Sequence, residues 1–253
     1  METGAITQYV DVAQLVLYAF WAFFAGLVYY LLRENHREGY PMDPGRENGP
    51  RSAGWPAVTE SKVYKMADGT ERLSPDPARR EPPYQAEAMH GWIGAPLEPT
   101  GNPLLAGVGP GAWAERADVP DMTFEGQVKI VPLRVSPENG VAAQDLDPRG
   151  LTVYGADGEV AGTVADLWVD RSEVLFRYIE VALPTGRRVL LPVTFSRITA
   201  SGIKVHALLA SQFAQVPSTR SADQVTMLEE EKIMAYYGAG LMYATPQRQE
   251  PLL

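Results

Sequence analysis

The sequence predicts a single transmembrane α-helix joined to a mostly-β domain built as a small barrel, with a further helix near the C-terminal end. Three observations carry this. Residues 12–32 hold no charged side chain. Residues 128–206 hold six short apolar runs separated by turn signals. Residues 221–237 start with good capping residues and continue as an acidic and then apolar helical stretch.

The first element is bracketed by Asp11 and Arg33 and reads VAQLVLYAFWAFFAGLVYYLL. At a rise of 1.5 Å per residue it is ~31 Å long, about the thickness of a bilayer's hydrocarbon core. Only Gln14 is strongly polar. A secretory signal carries cations before a shorter apolar core, and residues 1–11 contain no Lys or Arg. An interfacial helix needs a polar face, which this one lacks. Tyr18, Trp21, Tyr29 and Tyr30 suit interfacial or partner-facing positions. Gly26 with Ala19, Ala22 and Ala25 suits either a simple anchor or close packing on other membrane helices. Arg33 and Arg37 follow the span, whereas Glu2 and Asp11 precede it. The positive-inside rule then puts residues 1–11 in the periplasm and residues 33–253 in the cytoplasm.

Residues 33–120 read as an extended cytoplasmic segment rich in Pro and Gly. Thirteen of the 21 prolines fall between 41 and 120. Asn48-Gly49-Pro50, Pro82-Pro83 and Gly109-Pro110-Gly111 punctuate it, so long helices are not expected. Trp55, Tyr64, Tyr84, Trp92 and Trp113 are more aromatic residues than a free tether would hold. The segment is expected to drape over its own domain or over a partner.

Residues 121–253 form the last region. Its strand candidates are Val128–Val131, Leu151–Tyr154, Gly162–Val169, Leu175–Leu183, Arg188–Phe195 and Ile203–His206. Asp157-Gly158 signals a two-residue hairpin, and Pro184-Thr185-Gly186 and Ser201-Gly202 signal further turns. This spacing suits a small barrel or rolled sheet. Ser221 or Asp223 would cap the final helix, and Gly238 and Gly240 would end it.

Composition narrows the function. The net charge of -9 and the lack of a basic stripe exclude a typical nucleic-acid binder. Without cysteine there is no disulfide, thiolate catalysis or Cys-based zinc site. His36, His90 and His206 lie far apart and show no metal-ligand spacing. No nucleophile elbow, phosphate loop or dinucleotide fingerprint occurs, which favours a chain that is not an enzyme by itself. The one charged cluster of interest is Asp166, Asp170, Glu173 and Arg177. Asp170-Arg171-Ser172-Glu173 falls between two apolar runs and is either a solvated turn or an ion-pair and proton-relay cluster. Burial raises a carboxylate pKa and a nearby Arg lowers it, a balance that suits proton exchange near neutral pH.

Several longer stretches together resemble one family. They are Glu34-Asn35-His36-Arg37-Glu38-Gly39-Tyr40-Pro41, Pro99-Thr100-Gly101-Asn102-Pro103 and Gly107-Val108-Gly109-Pro110. Ala161-Gly162-Thr163-Val164-Ala165-Asp166-Leu167-Trp168-Val169-Asp170, Leu228-Glu229-Glu230-Glu231-Lys232 and Gly240-Leu241-Met242-Tyr243-Ala244 follow in order. The chain resembles the H subunit of the photosynthetic reaction centre of purple bacteria over its whole length. The resemblance implies one transmembrane helix and a cytoplasmic domain containing a PRC-barrel, in the inner or intracytoplasmic (chromatophore) membrane. It implies L and M subunits as partners, with a cytochrome subunit, light-harvesting antenna and cardiolipin as further neighbours. Bacteriochlorophyll, bacteriopheophytin, quinones and non-haem iron would belong to the complex and not mainly to this chain. The implied function is to cap and stabilise the pigment–quinone core and to help deliver protons to the secondary quinone.

Carried over residue by residue, the resemblance makes Glu173 a relay group, with Asp170 and Arg177 tuning it and Asp166 a weaker candidate. Arg33, Arg37 and Tyr40 match the membrane-interface and lipid positions. Some family members carry an acidic residue and two histidines before the strand that here begins Lys129-Ile130-Val131-Pro132. The matching positions are Thr123, Glu125 and Gln127. Glu125 can serve there as a proton acceptor but lacks the near-neutral pKa of His. With both histidines absent, the proton entry is expected to differ from theirs and no zinc site is expected at these positions. The rival reading is a membrane-tethered PRC-barrel adaptor that never meets a pigment.

Overall fold

The computed structural model describes residues 4, 6, 11–42, 54–67, 69–76, 78, 82–92 and 95–249. The expected turn at Asn48-Gly49-Pro50 and most of the 1–11 segment lie outside these residues. The chain forms two compact units, 1–80 with 91–95, and 81–90 with 96–253.

In the first unit, helix α1 spans Val12–Asn35. The Asp11 carboxylate caps it by accepting the Gln14 N–H at 2.7 Å. The helix runs past the expected end at Leu32 because Arg33, Glu34 and Asn35 continue the turn before His36 closes it. No residue of α1 is buried by the rest of the chain. A helix this apolar and this long is suited to cross a membrane by length and composition. A two-stranded antiparallel hairpin follows, β1 (Lys62–Lys65) and β2 (Glu71–Ser74). The Arg37 guanidinium joins the helix end to the hairpin. It donates to Glu34 at 2.7 and 3.1 Å, to the Glu60 carbonyl at 2.6 Å and to the Ser74 carbonyl at 3.3 Å.

The second unit begins with a small hairpin, β3 (Ala86–Ala88) against β4 (Leu97–Pro99). Its main sheet contains β5 (Ile130–Pro132), β6 (Thr152–Tyr154), β7 (Val160–Asp170), β8 (Leu175–Ala182), β9 (Arg188–Pro192), β10 (Ser196–Thr199) and β11 (Gly202–Val205). The hydrogen-bonded order is β10-β11-β6-β7-β8-β9, with β5 also on β7. No pairing among the described residues closes this path from β9 to β10. All six expected strands are present with shifted ends. Val193–Phe195 is a 3-10 turn and not the end of a strand, since Pro192 has no N–H to extend the ladder. β10 was not expected.

The Asp157-Gly158 turn forms, but as a longer loop than the two-residue hairpin expected. Gly158 N–H bonds the Gly155 carbonyl at 3.0 Å and Gly155 N–H bonds that of Glu159 at 2.9 Å. Gly158 takes φ +79°, which glycine adopts without a side-chain clash.

Helix α2 (Met227–Tyr243) completes the fold. Its cap is Thr226 and not Ser221 or Asp223. Thr226 Oγ1 accepts the Glu229 N–H at 3.1 Å and Glu229 returns the bond to the Thr226 N–H at 2.9 Å. This reciprocal pair satisfies two otherwise free donors. Gly238 and Gly240 do not end the helix. An added Cβ at Gly240 would lie 2.3 Å from the Ala207 carbonyl oxygen, and one at Gly238 would lie 2.5 Å from that of Pro110. These glycines let the helix backbone touch neighbouring backbone. α2 buries Ile233, Tyr236, Tyr237 and Ala239 in a core shared with Trp168, Ile179, Val181, Leu191, Ile203 and Phe213. Each large apolar side chain so removed from water contributes about 1.5–3 kcal/mol.

Candidate functional site

β7 and β8 pair so that Asp170 lies opposite Leu175, and Arg171–Val174 form the connecting turn. Asp170 is fully buried at this turn. Its Oδ1 accepts the backbone N–H groups of Ser172 at 2.9 Å and Glu173 at 3.2 Å. Its Oδ2 is buried and accepts no hydrogen bond. That oxygen faces two cations, Lys129 Nζ at 3.7 Å and Arg177 Nε at 3.9 Å. Both lie too far for a hydrogen bond and close enough for strong charge attraction.

Lys129 arrives through strand pairing, since β5 places Ile130 opposite Asp170. The Arg171 N–H bonds the Lys129 carbonyl at 2.9 Å, and Arg171 Nε bonds that of Val128 at 2.9 Å. Lys129 also reaches Asp121 at 3.3 Å. Burial pulls its pKa down, but the bond to Asp121 and the charge of Asp170 together hold the ammonium above its ordinary value.

A second carboxylate enters from α2. Tyr178 donates its hydroxyl to Glu230 Oε2 at 2.7 Å. Burial raises the Glu230 pKa, and the opposing pulls of Tyr178 and Arg177 do not cancel it. Arg177 thus acts electrostatically on Asp170 from one side and on Glu230 from the other. The sequence places neither Glu230 nor Lys129 in this site. A usable signal existed for Glu230, which shares a helix face with core residues Ile233 and Tyr237 at spacings of three and seven.

Glu173 stands exposed on the turn, and no described residue bonds its carboxylate. Glu125 is also exposed, on a turn closed by Thr123 N–H to the Gln127 carbonyl at 2.8 Å. The structure therefore gathers Asp170, Glu173 and Arg177 at one end of the sheet. It does not bring Asp166 to them. Asp166 Oδ2 accepts from Arg134 N at 3.2 Å and Arg134 Nη1 at 3.1 Å, and its Oδ1 accepts from Leu167 N at 2.9 Å. It belongs to a separate network around Glu180, which takes bonds from Arg134 at 2.7 Å, Trp168 Nε1 at 2.8 Å and Arg188 at 2.7 Å. Burial alone would raise the Glu180 pKa, but these three donors outweigh it and hold the carboxyl below its usual range. A cavity of about 330 Å³ opens over this second network and not over Asp170.

In the first unit, Arg33 is exposed at the helix end. Tyr40 stacks on His36 with ring centres 4.0 Å apart. Arg37 is buried and its guanidinium is taken up by internal acceptors, so its main work is to hold α1 to the β1–β2 hairpin.

The family model for the photosynthetic reaction centre H-chain N-terminal region matches residues 4–135. That match covers more than half of the chain. This protein belongs to the photosynthetic reaction centre H-chain family. A second model, for the PRC-barrel domain, matches residues 144–210 of this H chain, the stretch that holds β6 to β11. An H chain is one subunit of a complex with L and M, and that complex contains pigments and quinones. Among the described residues of this chain, no group of three or more His, Cys, Asp or Glu could hold a metal ion.

Proposed function

We propose that this H chain caps the cytoplasmic face of the L–M core, stabilises it and passes protons toward the secondary quinone. In this reading residues 1–11 are periplasmic, 12–32 span the bilayer, 33–120 drape over the complex and 121–253 form the proton-conducting domain. Arg33 and Tyr40 sit at the lipid headgroups, with cardiolipin, antenna and cytochrome subunit as neighbours. The charge bias of Arg33 and Arg37 supports the orientation.

The carrying observation is the buried Asp170, whose Oδ2 faces Lys129 and Arg177 without a hydrogen bond. Buried carboxylates are normally bonded, so an unbonded buried oxygen held only by two cations at a distance marks this turn as a charge site and not a solvated loop. A reduced quinone bound by L and M supplies the demand for protons. Glu125 takes protons from solvent on its exposed turn. Glu173, whose carboxylate no hydrogen bond holds, hands them on. Lys129 and Arg177 offset the charge of Asp170, and the raised pKa of Glu230 gives the site a protonatable reserve. No observation favours the pigment-free adaptor, and the family match argues against it.

Glu173→Gln in the intact complex removes one proton carrier and keeps the turn. Proton-coupled transfer of the second electron to the secondary quinone, followed by flash spectroscopy, is expected to slow by a factor on the order of 10–100. Unchanged kinetics in a fully assembled complex would remove Glu173 from the relay.

A further inference from the structure

Two loop tips at one end of the main sheet carry apolar side chains that the chain itself does not cover. Phe124 sits on the 123–126 turn and is 102% exposed, as open as a residue can be. Met122, at the neck of the same turn, is also exposed. Val174 ends the β7–β8 turn at 71% exposure, followed by exposed Leu175. Val174 also holds φ +53°, the one positive value among the described residues other than glycine. A β-branched side chain is strained in that left-handed region, and Gly or Asn would suit it better. Strain of this kind persists where the side chain has a use.

The register puts both tips at the same end of the sheet. β5 runs antiparallel to β7 with Ile130 opposite Asp170, and Arg171 clasps the Lys129 and Val128 carbonyls. The Met122–Val128 bridge therefore extends past the end of β7, where Val174 lies. Each apolar tip residue adjoins a candidate proton carrier, Phe124 beside Glu125 and Val174 beside Glu173.

We infer that Phe124 and Val174 form a two-pronged apolar anchor that seats this end of the sheet on the L and M subunits. The inference rests on the reading that the Glu173 turn serves the L–M core. The family supplies these partners. A carboxylate that feeds a pocket inside them must stand at their boundary, and its neighbour Val174 then stands there too. Contact with a partner removes both apolar surfaces from water and explains why a strained valine is kept at a turn tip.

The test uses the full chain in purified complexes. The H chain retained per pigment is measured during a chaotrope titration, and the melting temperature of the free chain in detergent is measured alongside. Phe124→Ser is expected to weaken retention about tenfold while melting stays unchanged. Val174→Gly is expected to act with opposite signs, raising the melting temperature by relief of strain and lowering retention. Equal retention of wild type and both variants overturns the anchor, as does a loss of retention that only follows a loss of melting temperature. A benzophenone amino acid at position 124 should crosslink to L or M. Adducts with lipid alone would overturn the proposal and assign the ring to the bilayer. Weakened retention in Phe124→Ser beside normal electron-transfer kinetics in Glu173→Gln would sink the relay and leave the anchor standing. A wild-type chain that never copurifies with L and M would sink both.

Discussion

Asp166 and Asp170 lie four residues apart on one strand, and both are buried. Asp166 accepts three hydrogen bonds on its two oxygens, and its neighbour Glu180 accepts three, with Arg134 Nη1 shared between them. Asp170 bonds two backbone N–H groups through one oxygen and leaves the other to face cations at 3.7 and 3.9 Å. The first network is closed, and its charges are fixed by short bonds on every side. The second is held by longer-range attraction and leaves one buried oxygen without a hydrogen bond. Burial alone therefore does not distinguish Asp166 from Asp170. The number and length of their bonds do.

The strongest way to break this contrast is to open the closed network. Arg134→Met strips the cation from Asp166, Glu180 and Asp223 together. Arg134 is only partly exposed, so the cost is set near the lower end for a broken buried pair, about 3 kcal/mol. Thermal unfolding should shift down by roughly 10 °C. Glu180 is held below its ordinary pKa, so the stability it contributes is present above pH 4.5 and lost as pH falls through its folded value. The gap between wild type and Arg134→Met should therefore narrow in acid.

A smaller effect is expected at Asp170. Asp170→Asn keeps an acceptor for the Ser172 and Glu173 N–H groups but removes the charge that faces the partly exposed Lys129 and Arg177, so stability should fall by about 1–2 kcal/mol. Proton uptake measured with a pH dye after flashes should nevertheless slow. A stability loss as large as that of Arg134→Met would erase the distinction between the two networks.

The smallest effect is expected at Glu230. Its folded pKa is raised, so its contribution is fully present below pH 4.5 and is lost as pH rises through the folded value. Glu230→Gln should match wild type in acid and become the more stable of the two toward neutral pH. A pH series of melting curves reads this directly, and a variant less stable than wild type at neutral pH would contradict the raised pKa.

Much of the fold can be read along the chain because local chemistry is enough to set it. The charge-free run defines α1, and β7 and β8 announce themselves by apolar stretches on either side of Asp170-Arg171-Ser172-Glu173. The β1–β2 hairpin escaped because Lys62–Lys65 is exposed at every position and shows no buried face to alternate with. The α2 cap escaped because several capping residues precede it, and only the reciprocal Thr226–Glu229 bonds choose among them. In the site, Asp170, Glu173 and Arg177 lie close in sequence and meet across a single turn. Lys129 and Glu230 reach them only through β5 pairing and α2 packing, which no local pattern encodes. Asp166 appeared to belong to the same cluster, yet four residues of strand carry it about 13 Å along the sheet.

Gly238 and Gly240 place α2 with its peptide groups directly on the carbonyls of Pro110 and Ala207. Side chains can rotate or repack when two elements slide, but peptide planes in contact cannot. The glycine pair thus works as a mechanical datum for the helix. Glu230 lies about 15 Å further back along the same rigid rod. Its distance to Tyr178 and Arg177 is gauged from that seat, much as a machinist sets a tool from a fixed shoulder. A methyl group added at either glycine would lift the rod and shift Glu230 against Tyr178 and Arg177, which it never touches.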